Sequence, residues 1–221
     1  MKQITDHVYH VGDSGCSVFL VDTHSEDGLI LIDCGMSLEM IKKSITKSGL
    51  NPKDIQHCIL THFHIDHIGA CHDLKMYNQK VKFYAHELDA KAIEEKGHDQ
   101  KTAASWYSVD YIPISLEKKI TKDREVLHFG NYDFQCIHTP GHTPGSICVY
   151  IEIDGKKVLF GQDIHGPFYP AFGSNLEDYQ ISMNKLLNLE IDILCEGHFG
   201  IFQPAEDVQK YIRRHMDLNR P

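Results

Sequence analysis

The apolar run CILT, residues 58 to 61, leads straight into THFHIDH at 61 to 67, so three histidines and an aspartate crowd the point where a hydrophobic stretch gives out. No other feature restricts the fold as much. A buried strand must end at a rim there, and the loop beyond it must be held rigidly enough to present polar side chains in one direction. In extended backbone alternate residues share a side, which places His62 and His64 together. Imidazole nitrogen and carboxylate oxygen are donors that borderline divalent cations such as Zn²⁺ favour. Asp66 and His67 follow at once, where a turn or helix start directs them toward a second ion beside the first.

Donors from one loop do not complete two sites, so others must come from elsewhere in the chain. HTPGHTPGS places His142 in a Pro/Gly-bounded turn after a strand, LFGQDIHG places Asp163 at another strand end, and LCEGHFG does the same for His198. All three fall at strand-to-loop junctions, as expected of a site assembled from several loops on one rim of a sheet.

The intervening pattern supports that sheet. VYHVG, CSVFLVDT and LILIDCG read as consecutive strands, IQHCILT as a buried one, and KVKFYAH, DFQCIHT, SICVYIEI, KKVLFGQD and DILCEGH as further strands. SLEMIKKSITKSG predicts a helix with Ser37 as N-cap, Leu38, Ile41 and Ile45 on its apolar face and Gly49 as its stop. ELDAKAIEEKG, NLEDYQISMNKLLNL and PAEDVQKYIRRHM are the other helical segments. Sheet then helix in each half predicts a layered αβ sandwich. Residues 97–115 carry Trp106, Tyr107 and Tyr111 with weak periodicity and read as a lid or surface insertion.

With 221 residues, 42% of them hydrophobic, and no long linker or repeat, the chain reads as one domain spanning 1–221. The first residues lack a signal peptide's apolar core and no stretch approaches the ~20 apolar residues that span a bilayer, so the expectation is a cytoplasmic protein with no membrane partner. Seven cysteines in apolar runs, without a CxxC pair, read as buried thiols and not a disulfide framework. A net charge of -9 argues against a nucleic-acid partner. A small-molecule substrate is expected; a homo-oligomer is left open.

The motif and its distant companions resemble the metallo-β-lactamase-fold superfamily, whose loop reads His-x-His-x-Asp-His and is followed by a His, an Asp and a His. The resemblance runs from LIDCG, with Asp33 and Gly35, to EGH at 196 to 198. It implies a four-layer αβ/βα sandwich in the α/β class. It also implies His62, His64 and His142 around one metal, Asp66, His67 and His198 around a second, and Asp163 bridging them, with Asp33 structural. The implied cofactors are two divalent ions, Zn²⁺ first, with Mn²⁺ or Fe²⁺ as alternatives.

Two such ions make a bridging hydroxide a nucleophile at neutral pH and polarise the attacked oxygen. Asp66 is the expected catalytic residue, orienting the hydroxide and passing its proton to the leaving group. The expected reaction is hydrolysis of an ester-like bond in a small molecule: a thioester, a lactone or a phosphodiester. The chain resembles glyoxalase II and the acyl-homoserine lactonases, yet it has only one helix after EGHFG and carries Gly166 where the lactonases have tyrosine. A mononuclear Fe²⁺ persulfide dioxygenase using His62, His142 and Asp163 is the alternative. His165 and Tyr169 are candidate substrate contacts, and Trp106, Tyr107 and Phe168 are weighed between pocket walls and plain packing.

Overall fold

Strand residues that alternate between two buried faces, such as Leu20 and Val21 or Ile30 and Leu31, require apolar cover on both sides of the sheet that holds them. The computed structural model provides it with four layers. It describes residues 2–12 and 15–221; Met1, Asp13 and Ser14 of the expected domain lie outside the described residues.

The first sheet contains β1 (Lys2–Gln3), β2 (Val8–His10), β3 (Phe19–Asp22), β4 (Leu29–Ile32), β5 (Ile55–Ile59), β6 (Lys82–His86) and β7 (Lys118–Ile120), in that spatial order. It begins antiparallel and turns parallel from β4 to β7. The parallel crossovers are α1 (Leu38–Lys47), the one-turn α2 (Ile65–Ile68), α3 (Cys71–Tyr77), α4 (Glu87–Glu94) and the one-turn α5 (Ala104–Tyr107). The second sheet holds β8 (Arg124–Phe129), β9 (Tyr132–His138), β10 (Ile147–Ile153), β11 (Lys156–Phe160), β12 (Ile193–Glu196) and β13 (Gly200–Phe202), ordered β13-β12-β11-β10-β9-β8. It is covered by α6 (Leu176–Leu187) and α7 (Ala205–Leu218).

Three apolar cores separate the four layers. Val21, Ile30 and Ile32 face Val149, Val158 and Phe160 between the sheets. Leu20, Leu31 and Phe83 pack outward on Ile41 and Ile45 of α1 and Leu74 of α3. Leu159 and Leu194 meet Met183 of α6 and Ile212 of α7 on the far side. This is the α/β sandwich expected from the sequence.

Local signals account for much of it. The Ser37 hydroxyl accepts from the Met40 N–H at the start of α1, whose buried residues are Leu38, Ile41 and Ile45. Asp154 and Gly155, both at positive φ, make the tight turn that joins β10 to β11 in register Ile153↔Lys156. The strand expected from Cys16 starts only at Phe19, because Ser17 donates its N–H to Gly197 O across the sandwich at 2.7 Å. Strands β1, β7, β8 and β13 were not foreseen: three of them have two or three residues, and β8 carries polar Arg124, Glu125 and His128.

Candidate metal centre

The sheets meet along one rim, where the Ile147 N–H at the start of β10 donates to Thr61 O at the end of β5, 2.9 Å away. His62 and His64 leave β5 at this seam, and α2 then directs Asp66 and His67. His142 lies in the β9–β10 turn, Asp163 follows β11 and His198 follows β12. Every donor candidate named from the sequence therefore reaches one place.

The donors form two groups. Ring nitrogens of His62, His64 and His142 and a carboxylate oxygen of Asp163 all lie within 4.8 Å of one another. His64 Nδ1 stands 3.1 Å from His62 Nε2 and 2.8 Å from His142 Nε2. Asp163 Oδ2 is 3.5 Å from His142 Nε2 and 3.9 Å from His62 Nε2. In the second group Asp66 Oδ2 is 3.2 Å from His198 Nε2 and 3.7 Å from His67 Nε2, and Asp163 touches both rings at 3.2 and 3.3 Å. The Asp163 carboxylate thus sits between the groups.

The donor set fits divalent cations. Four ligands about 2.0–2.1 Å from one tetrahedral ion stand roughly 3.3 Å apart, and the spacings above scatter around that value. The outer nitrogens aim the inner ones: His67 Nδ1 donates to Asp33 Oδ2 at 2.8 Å and His142 Nδ1 to Pro167 O at 2.8 Å, which turns each Nε2 toward the cluster. Asp163 Oδ1 is buried and makes no hydrogen bond, its 3.2 Å approach to His67 notwithstanding. Gly197 allows this approach, since a Cβ there would fall 2.2 Å from Asp163 Oδ1.

Electrostatics separates the groups. Burial holds His62 and His64 well below the ordinary histidine pKa and His142 down at about 4, so all three are neutral and ready to ligate. Burial opposes the charged form of His67 too, but Cys16, Asp163, Asp33 and Asp66 outweigh it and raise His67 well above its ordinary value. His198, likewise desolvated, is raised to about 10 by Asp163 and Asp66. The same contacts hold Asp163 well below the usual carboxylate range despite its burial. Metal-free, the second group keeps protons where a cation would sit.

A cavity of about 140 Å³ opens onto both groups, lined by His64, Asp66, Asp163 and His198 together with Ala103, Trp106, Tyr107, His165, Pro167 and Phe172. The segment 97–115 supplies one wall. It is tied in where the Ile65 N–H donates to Thr102 O and the Tyr111 hydroxyl to Ile93 O. His165 lines the cavity, its Nδ1 2.7 Å from Glu196 Oε1. Tyr169 is not in the lining: 45% exposed, it packs edge-on against Trp106 and Phe172. Phe168 packs on Tyr179.

Three residues at the site were not singled out in the sequence. Cys16 brings its sulfur within 4.8 Å of the Asp66, His67 and His198 donors. Buried Glu196 accepts from His198 N and Phe199 N, both at 2.8 Å, and so shapes the His198 turn. Buried Asp89 accepts from Phe63 N, Gly145 N and the Thr143 hydroxyl at 3.2, 2.7 and 2.8 Å, clasping the THFHIDH loop to the His142 turn. Burial pushes its pKa up to about 7 against the pull of those hydrogen bonds.

Facing sheets between helices, with paired histidine–aspartate groups on the shared rim, define a metal-dependent hydrolase. A profile of the metallo-beta-lactamase superfamily matches residues 11–198, and the chain belongs to that superfamily. It is 31% identical over 195 residues to the hydroxyacylglutathione hydrolase GloC of Haemophilus influenzae, covering 85% of each chain. It is also similar to an acyl-coenzyme A thioesterase of Gallus gallus, at 24% identity with 90% of this chain and 77% of that protein covered. Among solved structures, the metallo-beta-lactamase GOB-18 of Elizabethkingia meningoseptica superposes with a TM-score of 0.80 at 24% identity, over 99% of this chain and 88% of that one. At that identity the likeness speaks to fold alone. No helix among the described residues is long and apolar enough to cross a membrane.

Proposed function

We propose that this protein is a dinuclear metal-dependent thioester hydrolase acting on a small molecule, as a single domain. The observation that carries the proposal is the pair of donor groups sharing Asp163, with Asp66 facing the cavity beside them. His62, His64 and His142 would hold one ion, Asp66, His67 and His198 the other, and Asp163 both; zinc suits the nitrogen and oxygen donors. When bound, such ions acidify water and polarise a carbonyl. Asp66 orients the attacking water and carries its proton to the leaving group, here a thiolate. His165, held by Glu196 and lining the same cavity, donates toward the substrate.

The choice of thioester is supported by the names of the two similar enzymes, a glutathione-thioester hydrolase and an acyl-coenzyme A thioesterase. Size limits the acyl part. At about 140 Å³ the cavity is smaller than the roughly 300–1,000 Å³ of a site that encloses a whole ligand, so only the reacting end of the substrate is enclosed and the thiol carrier lies outside, across Trp106 and Tyr169. Short-chain acyl thioesters of glutathione, coenzyme A and a simple thiol, assayed by thiol release beside lactones and phosphodiesters, test the proposal. Turnover of thioesters well above the other classes is expected; turnover of lactones or phosphodiesters alone would refute it.

A further inference from the structure

Seven buried cysteines are scattered through the chain, and packing explains six of them. Cys34, Cys58 and Cys71 belong to the core beneath α1 and α3, Cys136 and Cys195 to the core between the sheets, and Cys148 to the core under α6 and α7. Cys16 is in none of the three. It is 4% exposed and lies at the metal rim, beside Asp66, His67 and His198.

The backbone sets it there. Just before β3, the Ser17 N–H donates to Gly197 O, the carbonyl just before His198. That bond holds the Cys16 side chain beside the His198 turn, its sulfur within 4.8 Å of donor atoms of Asp66, His67 and His198, which are themselves mutually that close. The sulfur also lies 3.5 Å from the Ser17 carbonyl. Nearby, Asp163 Oδ1 is buried without a hydrogen bond.

We propose that Cys16 is a thiolate donor to the second metal position, which makes the two positions chemically unequal: nitrogen and oxygen only around the first, and sulfur as well around the second. The proposal rests on the dinuclear reading above. On coordination a sulfur–metal bond forms and the S–H proton leaves to solvent. With Asp66, His67, His198 and the shared Asp163, the sulfur makes five donors from this chain around the second position. A soft donor favours zinc or ferrous iron there over manganese or magnesium.

The test is spectroscopic and needs no substrate. Metal-free full-length protein is loaded with cobalt(II), and a near-ultraviolet thiolate-to-cobalt charge-transfer band is sought in the native chain and in Cys16→Ser. X-ray absorption at the zinc edge of the native dizinc protein gives a second readout that depends on no variant. Expected are the band in the native chain, its loss in Cys16→Ser, and one sulfur per two zinc ions at about 2.3 Å. A band that persists in Cys16→Ser would overturn the assignment, as would two bound ions surrounded by nitrogen and oxygen alone, which leaves the dinuclear reading standing. Uptake of a single ion with the sulfur signal would instead retain Cys16 as a ligand and sink the dinuclear reading.

Discussion

Asp89 makes a demanding test of how the rim is held. Its carboxylate is fully buried and receives Phe63 N–H from the metal loop and Gly145 N–H and the Thr143 hydroxyl from the His142 turn. Asp89→Ala leaves the buried Phe63 and Gly145 N–H groups without acceptors, the Thr143 hydroxyl keeping Ser146 Oγ at 2.8 Å, and at about 1–3 kcal/mol for each unsatisfied group the loss is at least roughly 2 kcal/mol. Asp89→Asn keeps one oxygen but turns an NH₂ toward a donor, so it costs about 1–3 kcal/mol. For a chain of this size each kcal/mol lowers Tm by roughly 2–4 °C. The Asn variant also gives a pH signature. Because the folded pKa of Asp89 is raised to about 7, its protonated form stabilises the native protein fully below the ordinary carboxylate value, and that stability is lost as pH rises through 7. Asparagine does not titrate, so its penalty should shrink between about pH 4 and pH 7 and level off above. Chemical denaturation of the metal-free variants across that range checks both points. Two variants within about 0.5 kcal/mol of the native protein would refute the clasp.

Asp66→Asn should lower turnover by about 10²–10⁴ while leaving the far-ultraviolet circular dichroism unchanged; full activity would remove the proton carrier. Metal uptake should strengthen with pH, because His67 and His198 both have raised pKa values and must shed protons: below about 10 the His198 proton alone adds about tenfold in affinity per pH unit, which chelator competition would show. His165→Ala should change kcat/KM by less than about tenfold, since the residue touches the substrate side of the cavity and is no donor to either group. Trp106, the single tryptophan, lines the cavity, so its fluorescence should respond to a bound product acid; an unchanged spectrum at saturating product would contradict the location of the substrate end.

The residues that were legible in the sequence are those whose information is local. His62, His64, Asp66 and His67 sit within six positions of one another behind an obvious strand, and Ser37 caps a helix three residues before its partner N–H. His142, Asp163 and His198 were found because each stands within two residues of a glycine at a strand-to-loop junction. Cys16, Asp89 and Glu196 have no such signature. The hydrogen-bond partners of Asp89 lie 26 to 56 residues away, and it looks like one more acid in the first turn of α4. Glu196 closes a strand as any residue could, and the Cys16 position follows from a bond to Gly197 on the opposite sheet. Tyr169 shows the converse: the sequence places it near the site, but packing against Phe172 keeps it outside the lining.

The most direct test of the dinuclear thioesterase is metal stoichiometry measured together with turnover. Metal-free protein is titrated with zinc while thiol release from a short-chain acyl thioester is followed, and bound metal is counted by mass spectrometry at each point. The account predicts two ions per chain, with hydrolysis rising until the second is in place. A single bound ion, above all iron accompanied by oxygen uptake and no hydrolysis, would contradict it.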